Sequence, residues 1–328
     1  MSNTMHQITQ TLLFCPDDAG GIYKGVHQLH DIFAASTGVK AGDITDKDIY
    51  LPSGKAVSTI KAAHCLLEFE RTAVFLRGVY QAIIQLKKDY PDTRLHVLYA
   101  GCGPYATLLT PLTSVFGIDE IAFHLLDINE DSIAAAQKLY AYLKLDGYVE
   151  EWLLADATTY YVPEGEVMHL MISETMLNAL RKEPQVAIML NLVPQLPDKG
   201  LFIPQEITVS AQLLSPRLET DRYLTPDTEP ERINLGNIYT IGRYNCAKHK
   251  PVTIKIPEEI GRFRQLSLLT TITTFGNEKL GTYTTSLTMP LRLFDADDCI
   301  GKQVKLTYQI SDKPGFEYEW VEDAVNIS

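Results

Sequence analysis

The chain has 328 residues, of which 45% are hydrophobic and 21% charged, and its 29 basic against 41 acidic side chains give a net charge of −12. This composition is typical of a soluble globular protein with about two domains. Its negative charge argues against nucleic acids or anionic membranes as partners, and it would attract a cationic substrate. The five scattered cysteines form no CxxC pair, no signal peptide opens the sequence, and no run approaches the roughly 18 apolar residues of a membrane span, so we expect a cytoplasmic protein.

Three regions with different patterns follow one another along the chain. Residues 1–92 carry apolar side chains at three- and four-residue spacing, most clearly over 55–88, which predicts a helical cap. From 93 to 204, short apolar strands alternate with helical stretches, which predicts an α/β domain with a Rossmann-like parallel sheet. Period-two alternation over 205–328 predicts an antiparallel β-barrel-like domain, interrupted by the excursion 215–236.

A glycine turn follows the first predicted strand of the α/β region. The stretch YAGCGPYA places Gly101, Gly103 and Ala106 in a GxGxxA pattern, with Cys102 between the glycines. Small residues at such a turn let the backbone approach a ligand closely at a helix N-terminus. Nicotinamide enzymes, flavoproteins and methyltransferases all use this pattern, so the turn alone leaves the cofactor open.

Two acidic residues end the next two predicted strands. Asp127 is suited to hold two ribose hydroxyls, and Asp156 would lie beside an adenine amino group, with Ile128 and Ala157 following them in the same predicted site. Asp127 could also cap the following helix, with Ser132 as a competing cap. A glycine turn and two acids on three successive strand tips resemble the class I S-adenosylmethionine-dependent methyltransferases. A dinucleotide enzyme is the alternative, since this architecture is widely reused.

Two glutamates flank the stretch after the fourth predicted strand. In a continuous helix, Glu174 and Glu183 would lie about 13.5 Å apart along the axis and on opposite faces, so they could not act together. The sequence between them is rich in helix formers, and Ser173 could cap such a helix. The position of Glu174 at the carboxyl edge of the sheet favours a ligand site instead. The two acids can cooperate only if the chain bends back.

The stretch ISETMLNALRKE, residues 172–183, resembles the double-glutamate loop of the protein arginine methyltransferases. The segment LPDKGLFIP, 196–204, is similar to the segment that precedes that family's β-barrel, and the similarity extends over about 56–320. The resemblance implies S-adenosylmethionine as cofactor, Glu174 and Glu183 as catalytic and substrate-binding residues, and a homodimer, for which 215–236 is our candidate contact. In EFERT, it also implies that Arg71 binds the methionine carboxylate, whereas an ordinary helix ion pair is the alternative.

Two features depart from the family pattern. Ala56 and Ala62 stand near the places where the paired aromatic motif of the cofactor lid is expected, and residues 284–286 replace the Thr-His-Trp loop. The loss of an ion-pair partner and an aromatic wall puts a peptide substrate in doubt more than methyl transfer itself. Tyr283 and Thr285 are our further candidates for substrate binding.

The predicted chemistry is methyl transfer to a guanidinium. This cation must meet a sulfonium that is also positive, and two carboxylates would offset the repulsion and orient the planar group. We therefore expect an arginine N-methyltransferase, with free arginine or another small guanidino metabolite favoured over an arginine-containing peptide. A methyltransferase of another acceptor, a dinucleotide-dependent oxidoreductase and a non-catalytic cofactor-binding protein are the alternatives. The histidines show no metal spacing, and we expect no metal.

Overall fold

The computed structural model describes residues 2–42, 47–222 and 229–321. Within these ranges the α-helices are α1 (Ser2–Phe14), α2 (Ala19–Thr37), α3 (Thr59–Cys65), α4 (Phe69–Asp89), α5 (Glu130–Leu143), α6 (Gln185–Leu192) and α7 (Pro216–Asp221). The strands are β1 (Ile49–Leu51), β2 (Gly54–Ala56), β3 (Leu95–Ala100), β4 (Ile121–Asp127), β5 (Val149–Leu154), β6 (Leu170–Ser173), β7 (Leu201–Ile203), β8 (Glu206–Leu214), β9 (Ile233–Gly242), β10 (Val252–Lys255), β11 (Gln265–Phe275), β12 (Glu278–Leu280), β13 (Leu291–Asp295), β14 (Gln303–Gln309) and β15 (Gly315–Val321). None of these helices combines the length and the apolar character that a bilayer crossing would require.

A five-stranded parallel sheet organises the middle of the chain. Its strand order is β5-β4-β3-β6-β7, so the order along the chain reverses beside β3. The inner strands β3, β4 and β6 are nearly continuous apolar runs because both faces are covered, and every residue of β4 is buried. Ligands of such sheets bind outside the carboxyl ends of the strands at this reversal. The residues that follow β3, β4, β5 and β6 therefore meet at one edge.

A β-hairpin interrupts the helical pattern predicted for residues 1–92, and that part of the prediction was wrong. Strands β1 and β2 pair antiparallel, with Leu51 opposite Gly54. Gly54 has a φ of +135°, and a Cβ there would lie 3.0 Å from the carbonyl oxygen of Lys182, so this turn requires glycine. Strands of three residues are too short to show a period of their own, and the surrounding helical spacing obscured them.

The helical stretch predicted over 55–88 is also divided into α3 and α4. At the turn between them, the backbone N–H of Leu67 donates to the carbonyl of His64 over 3.0 Å. The hydroxyl of Thr72 in α4 donates to the carbonyl of Leu66 over 2.9 Å, which satisfies a group that the break leaves without a helical partner. Because of this break, α4 begins at the edge of the sheet where the strand ends meet.

The C-terminal region consists of antiparallel strands in two sheets. One has the order β12-β11-β8-β9 with β13 also paired to β11, and the other has the order β10-β14-β15. Alternate residues of β8 point into the interior, as period-two patterning predicts. Helix α4 packs on β11 at Gly78, where an added Cβ would lie 2.5 Å from the hydroxyl of Thr274. The helical cap therefore contacts the β-rich region directly.

The predicted fold class is confirmed: a Rossmann-like parallel sheet is preceded by a largely helical region and followed by antiparallel β-structure. The predicted boundaries after 92 and 204 fall between α4 and β3 and between β7 and β8. The excursion 215–236 contains α7 and the start of β9, while 223–228 and 322–328 lie outside the described residues. The dimer contact proposed for this segment stays a prediction.

Candidate active site

The glycine turn after β3 forms a close backbone cradle. Gly101 and Gly103 have φ values of +75° and +64°, in the region that favours glycine. A Cβ added at Gly101 would lie 2.6 Å from the methyl group of Thr175, and one at Gly103 would lie 3.3 Å from the Cβ of Ala62. Helix α3, which carries Ala62, thus lies directly over the turn. The turn therefore packs closely against α3 and the segment after β6, and its predicted contact with a cofactor stays a prediction.

Asp127, at the end of β4, holds this turn from the side. Its Oδ2 accepts the backbone N–H of Gly103 and its Oδ1 that of Asn129, each over 2.8 Å. Burial raises the pKa of Asp127, and these two N–H donors oppose the rise. Asn129, which the sequence analysis did not identify, is the N-cap of α5, whereas the competing cap Ser132 contacts Thr59 of α3 over 3.0 Å. Asp127 is therefore not the cap.

One cavity of about 370 Å³ opens at this edge of the sheet. Its volume lies within the range of roughly 300 to 1,000 Å³ that is usual for small-molecule sites. The predicted cofactor-binding residues and both glutamates all line it: Arg71, Gly101, Cys102, Gly103, Asp127, Ile128, Asp156, Ala157, Glu174 and Glu183. The tip of β5 is ordered by Asp156, whose Oδ1 accepts the N–H and the hydroxyl of Thr158, each over 2.8 Å.

The chain between the two glutamates bends back instead of forming a continuous helix. After β6 it passes through a short 3-10 turn, and Ala179, Leu180 and Lys182 have φ values of +53°, +56° and +67°. Left-handed residues end a right-handed helix, and α6 begins only after Glu183. Both carboxylates consequently line the same cavity.

Contacts from distant parts of the chain maintain this bend. The backbone N–H of Lys182 donates to the carbonyl of Pro314 over 2.7 Å, and its carbonyl accepts the N–H of Lys55 in β2 over 2.7 Å. The hydroxyl of Tyr308 in β14 donates to the carbonyl of Leu180 over 2.7 Å. These bonds satisfy backbone groups that a local helix would otherwise satisfy. Tertiary contacts therefore override the helix propensity of this stretch.

Arg71 joins the first glutamate to the start of α4. Its Nε donates to Oε2 of Glu174 over 3.1 Å and its Nη2 to Oε1 over 2.5 Å, a bidentate pair in which both side chains are about nine-tenths buried. Nη1 donates to Glu68 over 3.1 Å. Arg71 therefore forms the helix ion pair with Glu68 that was the alternative prediction, and it also pairs with Glu174.

The buried charges shift one another's titration. Although burial alone would lower the pKa of Arg71, the Glu174 carboxylate raises it well above its usual value. Burial raises the pKa of Glu174, and Arg71 opposes that rise. No ion pair of this kind reaches Glu183 from the residues that the structure describes, and burial and the charge of Glu174 raise its pKa from 4.5 to about 7. A cation placed between the two glutamates would favour the ionised form of both.

The loop at residues 284–286 contacts the ion-pair network of Arg71 and Glu68. The backbone N–H and the hydroxyl of Ser286 donate to Glu68 over 3.0 Å and 2.7 Å. Burial alone would raise the pKa of Glu68, but Arg71 and Ser286 together hold that pKa below its usual range. Ser286 lines the cavity.

The structure does not bring Tyr283 and Thr285 into this cavity. The Tyr283 hydroxyl donates to Glu219 over 2.7 Å, and its ring stacks against Arg222, whose guanidinium carbon lies 3.6 Å from the ring centroid. Thr285 is buried and caps a 3-10 turn by accepting the N–H of Leu287 over 3.3 Å. Their predicted role in substrate binding has no support from their placement.

A row of histidines crosses the parallel sheet away from the cavity. His96 Nδ1 lies 3.0 Å from His124 Nε2, and the backbone N–H of His96 donates to His169 Nδ1 over 3.0 Å. Ligand atoms of His124, Glu151 and Glu166 lie within 4.8 Å of one another, although only the histidine is buried. Sequence spacing does not indicate this group because its members come from three separate segments. None of these five residues lines the cavity described above.

No protein-family model matches the sequence, and no curated protein matches it. Among solved structures, the fold is similar to a chain of the Trypanosoma brucei PRMT1 enzyme-prozyme heterotetrameric complex with AdoHcy. The two are 14% identical, the alignment covers 79% of this chain and 92% of the other, and the TM-score is 0.49.

Proposed function

We propose that the protein is an S-adenosylmethionine-dependent N-methyltransferase whose acceptor is a guanidinium, either of arginine or of another small guanidino compound. The observation that carries this proposal is the bend between Glu174 and Glu183. It places both carboxylates in the cavity that also contains the glycine turn and the acidic strand tips. Neither a helix nor an extended strand of that length would bring the two acids together.

The residues at the strand ends fit the proposed cofactor. Gly101 and Gly103 line the cavity, and a Cβ at either position would crowd Thr175 or Ala62, so it is backbone that borders the site there. Asp127 is held by two backbone N–H groups, which fix its carboxylate while lone pairs remain to accept ribose hydroxyls. When bound, S-adenosylmethionine would supply an electrophilic methyl group. The chain's own contribution is to position that group and the acceptor.

The two glutamates suit a planar cation. Glu174 is oriented by its bidentate pair with Arg71, and Glu183 lines the same cavity with no comparable ion pair in the described part of the chain. A guanidinium between them would receive charge-assisted hydrogen bonds that select its orientation and offset its repulsion by a second positive group. Binding would also ionise Glu183, because an opposite charge lowers a carboxyl pKa.

Glu183 is also the better candidate to accept a proton. In the unliganded chain its pKa is about 7, and ionisation on guanidinium binding would leave it as a carboxylate whose lone pairs can accept a proton. Glu174 is less suited because Arg71 already engages both of its oxygens. We assign proton acceptance from the methylated nitrogen to Glu183 and orientation of the guanidinium to both acids.

Incubation of the purified protein with labelled S-adenosylmethionine tests this function. Free arginine, agmatine and an arginine-rich peptide serve as acceptors, and mass spectrometry identifies the methylated nitrogen. We expect transfer that is lost in Glu174→Gln and Glu183→Gln and retained in the exposed control Glu164→Gln. Absence of transfer to every guanidino acceptor would reject the proposal. Transfer that survives both glutamate substitutions would indicate a methyltransferase of another acceptor.

A further inference from the structure

Two lysines share one carboxylate at the hairpin side of the cavity. Lys55 Nζ donates to Asp48 over 2.9 Å, and Lys61 Nζ donates to its two oxygens over 2.9 Å and 2.8 Å. The Asp48 side chain is only 9% exposed, and it also accepts the N–H of Ser58 over 3.1 Å. Asp48 therefore holds both ammonium groups in place. Two positive charges against one negative leave a net charge of +1 in this cluster.

The cluster belongs to the cavity that contains the glutamates. Lys55 and Lys61 both line it, and β2 is joined to the glutamate loop through the 2.7 Å bond from Lys55 to Lys182. A Cβ on the neighbouring Gly54 would lie 3.0 Å from the carbonyl carbon of Glu183, so the hairpin and the loop are in direct backbone contact. The ammonium groups are consequently at a defined position relative to Glu183.

Both lysines are partly exposed and retain N–H donors that Asp48 does not use. Lys55 is 21% exposed, and the Lys61 side chain is 55% exposed. An ammonium has three N–H donors, and Lys55 directs one of them to Asp48. Both groups can therefore donate to a further acceptor at the cavity without leaving Asp48.

We infer that Lys55 and Lys61 form a carboxylate subsite, so that the preferred acceptor is a guanidino acid: a molecule with a guanidinium at one end and a free carboxylate at the other. This inference rests on the function proposed above. Acidic groups line the interior and a net positive cluster lies at the hairpin, which matches the two ends of such a molecule. An arginine inside a peptide has an amide in place of the carboxylate and would lose these charge-assisted bonds.

The comparison of free arginine with agmatine tests the subsite. Agmatine has the same guanidinium but lacks the carboxylate. Calorimetry with S-adenosylhomocysteine present would measure both affinities in the wild type, in the Lys55→Met/Lys61→Met double variant, and in the exposed-lysine control Lys138→Met. We expect the wild type and the control to bind arginine roughly ten- to a hundredfold more tightly than agmatine, as hydrogen bonds to charged groups suggest. The double variant is expected to lose this preference through weaker arginine binding alone.

The outcomes separate the subsite from the function. Equal affinity of the wild type for arginine and agmatine, with methyl transfer to both, would overturn the subsite and leave the methyltransferase intact. If the lysine substitutions weaken S-adenosylhomocysteine binding and leave the arginine preference unchanged, the lysines serve the cofactor and the inference is wrong. Binding and transfer with neither guanidino compound would reject both proposals. Circular dichroism and urea midpoints confirm folding, and the single variant Lys61→Gln, at the more exposed position, serves if the double variant unfolds.

Discussion

Replacement of Glu183 by glutamine should stabilise the protein while abolishing methyl transfer. Burial and the nearby Glu174 raise the pKa of Glu183 from 4.5 to about 7, so the folded state favours its protonated form. The free-energy cost of ionising Glu183 is absent at pH values below its pKa in the unfolded chain. It is fully present at pH values above its pKa in the folded chain. The difference between these values corresponds to about 3 kcal/mol. Glu183→Gln, which is neutral at every pH, should avoid that cost.

Urea unfolding of wild type and Glu183→Gln between pH 4.5 and 8.5 measures this effect. The variant's excess free energy of unfolding should be small at the acid end and grow toward about 3 kcal/mol at pH 8 and above. Glu164→Gln is the matched control, because it makes the same substitution at an exposed position. A constant difference for Glu183→Gln across this range would refute the reasoning, since it would mean that Glu183 titrates alike in the folded and unfolded chains.

Three further predictions concern the same site. Glu174→Gln should lower the free energy of unfolding by about 3 kcal/mol, because it leaves Arg71 buried with only Glu68 as a carboxylate partner; unchanged urea stability would contradict this. Arginine binding should release protons, because Glu183 must ionise, and calorimetry in buffers of different ionisation enthalpy would measure this release. The affinity should increase roughly tenfold per pH unit from 5.5 to 6.5 and level off above pH 7. A pH-independent Kd would contradict this prediction. Gly101→Ala should abolish S-adenosylhomocysteine binding because its Cβ would lie 2.6 Å from the methyl group of Thr175 and displace the turn, whereas Gly165→Ala, with a φ of +90° and nothing within 4 Å, should bind normally; equal binding by the two variants would show that the conformation of this turn is not needed.

The loop between the glutamates serves function at a cost in stability. Glu174 and Glu183 line one cavity, and among the described residues the bidentate contact of Arg71 is made with Glu174. A guanidinium bound between the two acids would offset their mutual repulsion, so the proposed acceptor is complementary in charge to the pair. This complementarity explains why the glutamate substitutions are expected to affect stability in opposite directions: Glu174 has a partner to lose and Glu183 does not.

Patterns of short range were sufficient to predict the architecture and part of the site. Alternating strands and helices indicated the parallel sheet, and the turn at Gly101 and the acids at Asp127 and Asp156 indicated the edge at which a ligand is expected. These residues line one cavity because strand tips of a parallel sheet meet at one edge whatever the details of packing. The hairpin β1–β2 was missed because its strands are too short to carry a period.

The sequence by itself determined the sheet, the glycine turn and the acidic strand tips, because each depends on a local conformation or on a periodicity that neighbouring residues impose. The tertiary structure alone decided whether the two glutamates meet, which partners Arg71 has, and that Lys55 and Lys61 share Asp48. Residues 174–183 have good helix propensity, yet hydrogen bonds donated to Pro314 and accepted from Lys55 and Tyr308 maintain a bend there. Local propensity amounts to tenths of a kcal/mol per residue, whereas several long-range hydrogen bonds act together on this loop, and their sum decides its conformation.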